Sequence, residues 1–432
     1  MTAARRLPPR PDPMEAAPMP YDDGDQTRFR GEPGFREEPD FRTSTSTGSI
    51  PPVRASSGPL EDIFEDPAHG DPGRDRMAVH FAWEAILLIA AGVLGFLLYS
   101  QHKSAVTGQN LRELVVYAAA LGLLAFGAAA SLRAAAPNLA IGPVAVAAAM
   151  SFAENGDAGV SAAGPKIVGL AALVGLVIAV LVVGFQVPGW AASLAGALVV
   201  VVWIQKHAGP VTVAGEFDPT DRSWYYFGGF AAASILGAAL CSIRPLRRGV
   251  GRFRPVGDPA ARRGFFAALV TGVAIVSSTV LAAVGGILMA GLNTSVRPDL
   301  GFDWTGLAIG VALVGGVSAF GRRGGVFGTV LATVVVTLVI RFGEAGDWRL
   351  SPYAVAAVTI AAGLVVTRLV ETFGKPLLTP DEESWTSEAT STWSGGTGWG
   401  GSDTGSWSSS LPTQPTVTRP DPWQDDRWGA GR

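Results

Sequence analysis

The sequence predicts an all-α membrane protein of about ten transmembrane helices between two disordered polar tails. Three observations predict it. Charge is segregated: residues 1–78 are rich in Pro, Asp, Glu and Arg, residues 372–432 in Ser, Thr, Gly and Trp, while residues 79–371 are mostly Ala, Val, Leu, Gly and Ile. The apolar body falls into runs of the length a helix needs to cross a ~30 Å hydrocarbon core at ~1.5 Å per residue. Those runs are apolar all round, which argues against a soluble core, and too long and unalternating for outer-membrane strands.

The tails come first. The N-terminal stretch carries PPRPDP, YDDGD and EDIFEDP, and the C-terminal one carries SWTSEATSTWSGGTGWGGSDTGSW. Such composition buries too little apolar surface to offset chain entropy, so both read as disordered. The first 78 residues show no basic start followed by a short apolar run, so no cleavable signal peptide is expected. Only four of the 33 basic residues are lysine, a hint of a GC-rich bacterial genome.

The body then offers ten candidate spans: 79–99, 111–133, 138–153, 165–184, 188–205, 224–243, 264–291, 304–320, 326–342 and 352–371. Lipid offers no hydrogen bonds to the backbone, so helices are the form these runs must take. The third is short and carries Pro143, which reads as a broken or tilted span. Arginines set the orientation. With alternating spans and an inside N-terminus, the inside loops and the adjoining helix end hold ten arginines: Arg133, Arg244, Arg247, Arg248, Arg252, Arg254, Arg262, Arg263, Arg322 and Arg323. They hold one acid, Asp258. Glu154, Asp157, Glu216, Asp218, Asp221, Asp299, Asp303, Glu344 and Asp347 fall outside. Both termini are therefore expected in the cytosol of a bacterial inner-membrane protein.

Between spans eight and nine, residues 315–329 read GGVSAFGRRGGVFGT. Charge alone makes Arg322 and Arg323 surface anchors of a tight cytosolic turn. The glycines let backbones approach closely, which is how helices pack in lipid. Residues 139–142 and 307–310 both read LAIG, near the starts of spans three and eight. That echo suggests two inverted five-helix halves, as in many transporters, although four identities arise easily in a chain of this composition.

Several chemistries find no motif. There is no G-x-x-x-x-G-K-[ST], G-x-S-x-G or H-E-x-x-H. The single cysteine, Cys241, excludes an internal disulfide, and the four histidines show no metal spacing. No catalytic residue, metal or cofactor is expected on this chain, and nothing points to nucleic acid. Glu84 and Glu113 lie near the starts of spans one and two, where their side chains reach the interface. The scarcity of acids at mid-depth argues against an ion-coupled carrier. The loop RPLRRGVGRFRPVGDPAARRG (244–264) is the most distinctive polar element of the body. Asp258 as N-cap and Pro259 at the first position would suit a short helix there. The loop reads either as a topology anchor or as a docking element.

These pieces resemble the permease subunits of bacterial ABC importers of the ribose and other monosaccharide type, related to branched-chain amino-acid permeases. Members carry a segment close to GG-T-S-x-F-G-G-R-G-S-x-x-G-T. Here Gly315, Gly316, Ser318, Phe320, Gly321, Arg323, Gly324, Gly328 and Thr329 match, and Arg322 replaces a usual glycine. PNLAIGPVAVAAA (137–149) is similar to the family's D-L-S-V-G segment, with Asn138 in place of Asp and Ala140 in place of Ser. VGFQVPGWAASLAGALVV (183–200) is similar to a proline-led span, and VGDPAARRGF (256–265) to a loop reading G-x-N-x-x-A-A-x-x-S-G-I. The resemblance covers about 130–371. It implies a permease that carries a small polar solute, most simply a monosaccharide, by alternating access. It also implies a second permease copy, an extracytoplasmic solute-binding protein, and a separate cytosolic ATPase that supplies the ATP chemistry. The ATPase would dock on Gly257, Asp258, Pro259, Ala260, Ala261, Arg262 and Arg263, and Asn138, Gln186 and Asn293 are the candidate residues of the solute path. The competing reading, from a different class, is a membrane scaffold or regulatory protein with a degenerate permease fold that acts through its tails.

Overall fold

The computed structural model describes residues 77–373 except 242, 244, 245, 247, 248, 259, 260, 262 and 322. Both polar tails lie outside the described residues. Within them every candidate span is a helix: α1 (Met77–Gln101), α2 (Gly108–Arg133), α3 (Ile141–Asn155), α4 (Val160–Val183), α5 (Gly189–Ile204), α6 (Ser223–Cys241), α7 (Phe265–Gly291), α8 (Phe302–Val314), α9 (Gly328–Ala345) and α10 (Pro352–Phe373). Seven are long and apolar enough to cross a membrane, so the chain is a multi-pass membrane protein. The others, α3, α5 and α8, have 15, 16 and 13 residues. At 1.5 Å per residue these are roughly 20–24 Å long, short of a ~30 Å core.

Packing divides the helices into centre and rim. In the most apolar stretch of α2, 78% of residues are buried, against 17% in α1 and in the α6 segment. The centre is α2 against α7. On this pair α3 and α4 lean on α7, while α8 and α6 lean on α2. α10 covers α8 and α1 covers α9. Small residues make the crossings close, as helices in lipid require. A Cβ on Gly127 of α2 would come within 2.9 Å of the Ser278 carbonyl on α7, and one on Gly286 of α7 would overlap Ala145 O on α3.

Contacts between connections fix the two ends. A two-stranded antiparallel ribbon pairs β1 (Val211–Thr212) with β2 (Ser295–Val296), and Ala214 N donates to Ala153 O at 2.8 Å. The loops after α3, α5 and α7 therefore share one end. At the other end Glu84 of α1 meets Gly328 of α9, and Glu371 of α10 meets Arg323. The first and last helices thus have their outer ends on the same side.

Two sequence expectations need correction. Span eight was expected to run to residue 320, but α8 stops at Val314. Gly316 takes a left-handed conformation (φ +82°), and the described residues of 315–327 are non-helical rather than a tightly packed helical turn. The LAIG echo is also displaced. Its first copy straddles the start of α3, whereas its second lies inside α8.

Candidate functional site

The glycine-rich stretch 315–327 is knitted from four helices. Glu84 of α1 is only 5% exposed, although its position near a helix start suggested an interfacial side chain. Its Oε1 accepts from Phe327 N (2.8 Å) and Gly328 N (3.0 Å). It thereby satisfies two donors that the start of α9 leaves open and places negative charge at the positive end of the helix. Arg133, at the end of α2, is buried, and its Nη2 donates to Gly325 O at 2.7 Å. Trp83 Nε1 donates to Val314 O at 2.7 Å, and Thr367 Oγ1 to Val317 O at 3.4 Å.

Arg323 corrects the surface-anchor expectation. It is 8% exposed and ion-paired to Glu371 near the end of α10. The reason is that the segment folds inward between helices instead of turning at the surface. Arg322 lies outside the described residues. The node therefore holds two acids, Glu84 and Glu371, and two guanidinium groups, Arg133 and Arg323. Buried charge is tolerable in this balanced form.

The glycines of this stretch make room for these groups. Side chains on Gly324 and Gly325 would strike the Arg133 guanidinium and the Glu84 carboxylate. Gly315 and Gly328 are in backbone contact, so a Cβ on Gly328 would overlap Gly315 O. Gly321 (φ +91°) needs the left-handed region that other residues avoid. Ser318 N donates to Arg323 O and its Oγ accepts from Phe320 N, closing the loop on itself.

A second polar cluster lies where α3 and α8 begin. Residues 134–140 are irregular and largely buried, and their polar groups are met internally, as membrane depth demands. Asn138, 1% exposed, donates to Ser278 Oγ of α7 and accepts from Ala140 N at 3.0 Å. Ser193 Oγ of α5 accepts from Leu139 N and donates to Pro137 O, both at 3.0 Å. Thr305 Oγ1 of α8 accepts from Gly142 N (3.0 Å) and donates to Leu139 O (3.1 Å). Gly142 and Gly301 touch so closely that a Cβ on either would overlap the other's backbone. The N-terminal ends of the two short helices thus abut, sealed by one threonine.

Beside this seal is a cavity of about 440 Å³ between α2, α3, α7 and α8. Leu124, Ala145, Ala149, Gly286 and Ala290 make a buried apolar floor, with Trp304 on one wall. The exposed rim is polar: Asn293, Thr294, Ser295, Arg297 and Asp299 on the loop that carries β2. Trp304 also meets Tyr117, with ring centroids 6.0 Å apart. Tyr117 and Asn293 border a smaller cavity of about 260 Å³ with Thr337, whose buried hydroxyl has no partner. An apolar pocket with a few polar groups at its edge is the usual form of a small-molecule site.

Of the three path candidates, Asn293 lines the cavity. Asn138 is committed to packing hydrogen bonds. Gln186, in a left-handed conformation (φ +61°) after α4, donates to Val183 O and lies outside the cavity lining. In the 244–264 loop, Gly257 and Arg263 are exposed, and Asp258 lies 3.9 Å from Arg254. Pro259, Ala260 and Arg262 lie outside the described residues. Asp258, Ala261 and Arg263 are non-helical, so the helix expected from Asp258 is not seen at the described positions.

Sequence reasoning passed over Glu371 and Thr305 and gave Glu84 and Arg133 no role in a buried site. For Glu84 and Glu371 a signal existed, since an acid inside HFAWEAILLIA or TRLVETF is costly in lipid unless something holds it. Thr305 carried no such signal. No family model, no curated protein and no solved structure matches the chain.

Proposed function

We propose that this chain is a membrane permease that carries a small polar solute, most simply a monosaccharide, by alternating access driven by a separate ATPase. One observation carries the reading: the 440 Å³ cavity, with apolar floor and polar rim, beside two short helices that meet end to end. A sugar presents both faces such a cavity suits. Its ring face lies against Trp304, and its hydroxyls accept hydrogen bonds from Asn293 and Arg297 and donate to the Asp299 carboxylate. Breaking the Thr305 seal and separating α3 from α8 opens the cavity to the opposite side.

The ten helices act as ten spans in two inverted halves, α1–α5 and α6–α10. The swap of partners at the centre supports this division: α3 packs on α7 and α8 on α2. The rim departs from it, because α6 covers α2 whereas α1 covers α9. Both termini face the cytosol of a bacterial inner membrane, by the arginine count. No P-loop occurs in the chain, so ATP hydrolysis falls to a partner that docks on residues 257–263. A second permease copy and an extracytoplasmic binding protein complete the importer.

The test is co-purification. Tagged chain should retain a P-loop ATPase encoded beside it, and Arg262→Glu with Arg263→Glu should reduce the retained amount about tenfold. A chain that retains no ATPase, and whose tails instead capture other proteins, is the scaffold of the alternative reading.

A further inference from the structure

The smaller cavity, of about 260 Å³, lies where α2 begins and where α7 and α9 end. The transport proposal gives it no task. Part of its wall is apolar, made by Leu114, Met289, Leu292 and Ile340. The charged part is Glu113 of α2 with Arg341 and Glu344 of α9. Two carboxylates therefore share the wall with one guanidinium. Arg341 is already engaged: its Nε donates to Ala105 O at 3.4 Å and its Nη1 to Glu344 Oε2 at 3.1 Å. Glu113 makes no ion pair among the described residues. The wall is left with a surplus of negative charge.

A separate feature points to an occupant. Thr337 also lines the cavity, is 2% exposed, and its hydroxyl has no hydrogen-bond partner. A buried threonine inside a helix can satisfy itself on the carbonyl four residues back. Thr333, one turn earlier, does so on Thr329 O at 2.7 Å, and Thr359 of α10 on Val355 O at 2.7 Å. Thr337 does not bond Thr333 O in this way. Its hydroxyl is left for whatever the cavity holds, and a buried polar group without a partner is costly.

The chemistry of the wall narrows the occupant. Among the described residues no three of His, Cys, Asp and Glu are grouped to hold a metal ion. A free carboxylate and a hydroxyl suit an ammonium group, which has N–H donors and no acceptor. The apolar wall suits carbon attached to that nitrogen.

We propose that this cavity is a binding site for a small organic ammonium ion, an aliphatic amine of a few carbons. The ammonium meets the surplus charge of Glu113, the Thr337 hydroxyl accepts one of its N–H groups, and its carbon chain lies against Leu114 and Ile340. The cavity shares Met289 and Asn293 with the larger one, but it fills whether or not a solute crosses the membrane.

The test uses the full-length chain in detergent. In a Cys241→Ser background, Leu292→Cys puts a single thiol on the wall, and methyl methanethiosulfonate reads its access. The probes are n-butylammonium chloride, n-butanol and potassium butyrate at equal concentration and pH 7, where the amine is protonated. Butylammonium should slow labelling about tenfold, and the alcohol and the carboxylate should not. Glu113→Gln should remove this protection. Thr337→Val, which keeps the shape, should weaken it while leaving the unfolding temperature unchanged or raised, because an unmet hydroxyl is gone. Equal protection by the three probes, or protection by none, overturns the proposal. So does sodium chloride that protects as well as butylammonium chloride, which would make this a site for a bare cation. If the cysteine variant fails to fold, equilibrium dialysis of butylammonium and butanol against the unaltered chain decides, and equal retention of the two overturns the proposal.

Discussion

Glu84 is the side chain on which the glycine-rich node turns. Its Oε1 caps α9, while Oε2 is buried with no hydrogen-bond partner and lies in the field of Arg133. Glu84→Gln keeps the shape but presents an amide in place of a charge. It turns two charge-assisted bonds from Phe327 N and Gly328 N into bonds to a neutral amide oxygen, a loss of about 1–3 kcal/mol. Thermal unfolding of the variant should therefore drop sharply, and an unfolding temperature equal to that of the unaltered chain would refute the capping role. Arg323 and Glu371 permit a cleaner test. The double-mutant cycle of Arg323→Gln and Glu371→Gln should give a coupling of about 1–3 kcal/mol, because the two side chains are in direct contact. A coupling near zero would return Arg323 to the role of surface anchor. Charge counting led to that role because it weighs arginines by their loop, and nothing in GRRGG announces an acid 48 residues away on α10.

At the scale of elements, the short helices α3 and α8 matter most. They meet where Gly142 touches Gly301, and Thr305 of α8 bonds Gly142 N and Leu139 O across the contact. Gly142→Ala forces backbone apart, so it should cost at least the ~1–3 kcal/mol of ordinary overpacking. It should also raise the reactivity of cysteines introduced into the cavity floor, and unchanged reactivity would show that the contact is not a seal. Helix existence was legible in the sequence, because an apolar run in lipid has few other forms. Helix ends were less so. Hydropathy carries span eight through GGVSAF, yet Gly316 turns the backbone left-handed and α8 stops at Val314. Length and Pro143 marked the third span as broken or tilted, and Asn138 just before α3 makes hydrogen bonds to Ser278 Oγ and Ala140 N. Asn293 was one of three path candidates, and what sets it at a cavity, Trp304 and the loop that carries β2, arises only in three dimensions.

For the whole molecule, the question is whether the cavity between α2, α3, α7 and α8 opens alternately to the two sides or stays a fixed hollow. The chain's one cysteine makes this accessible. In a Cys241→Ser background, Ala149→Cys places a single thiol on the cavity floor, and a membrane-impermeant maleimide added to intact cells reads its exposure. Labelling should proceed from the β1–β2 side and should change about tenfold when cellular ATP is depleted with the ion gradients maintained. A rate that ignores ATP but follows the ion gradient would make the protein an ion-coupled carrier. A rate that ignores both would mean that the cavity belongs to a static scaffold and would contradict the permease assignment.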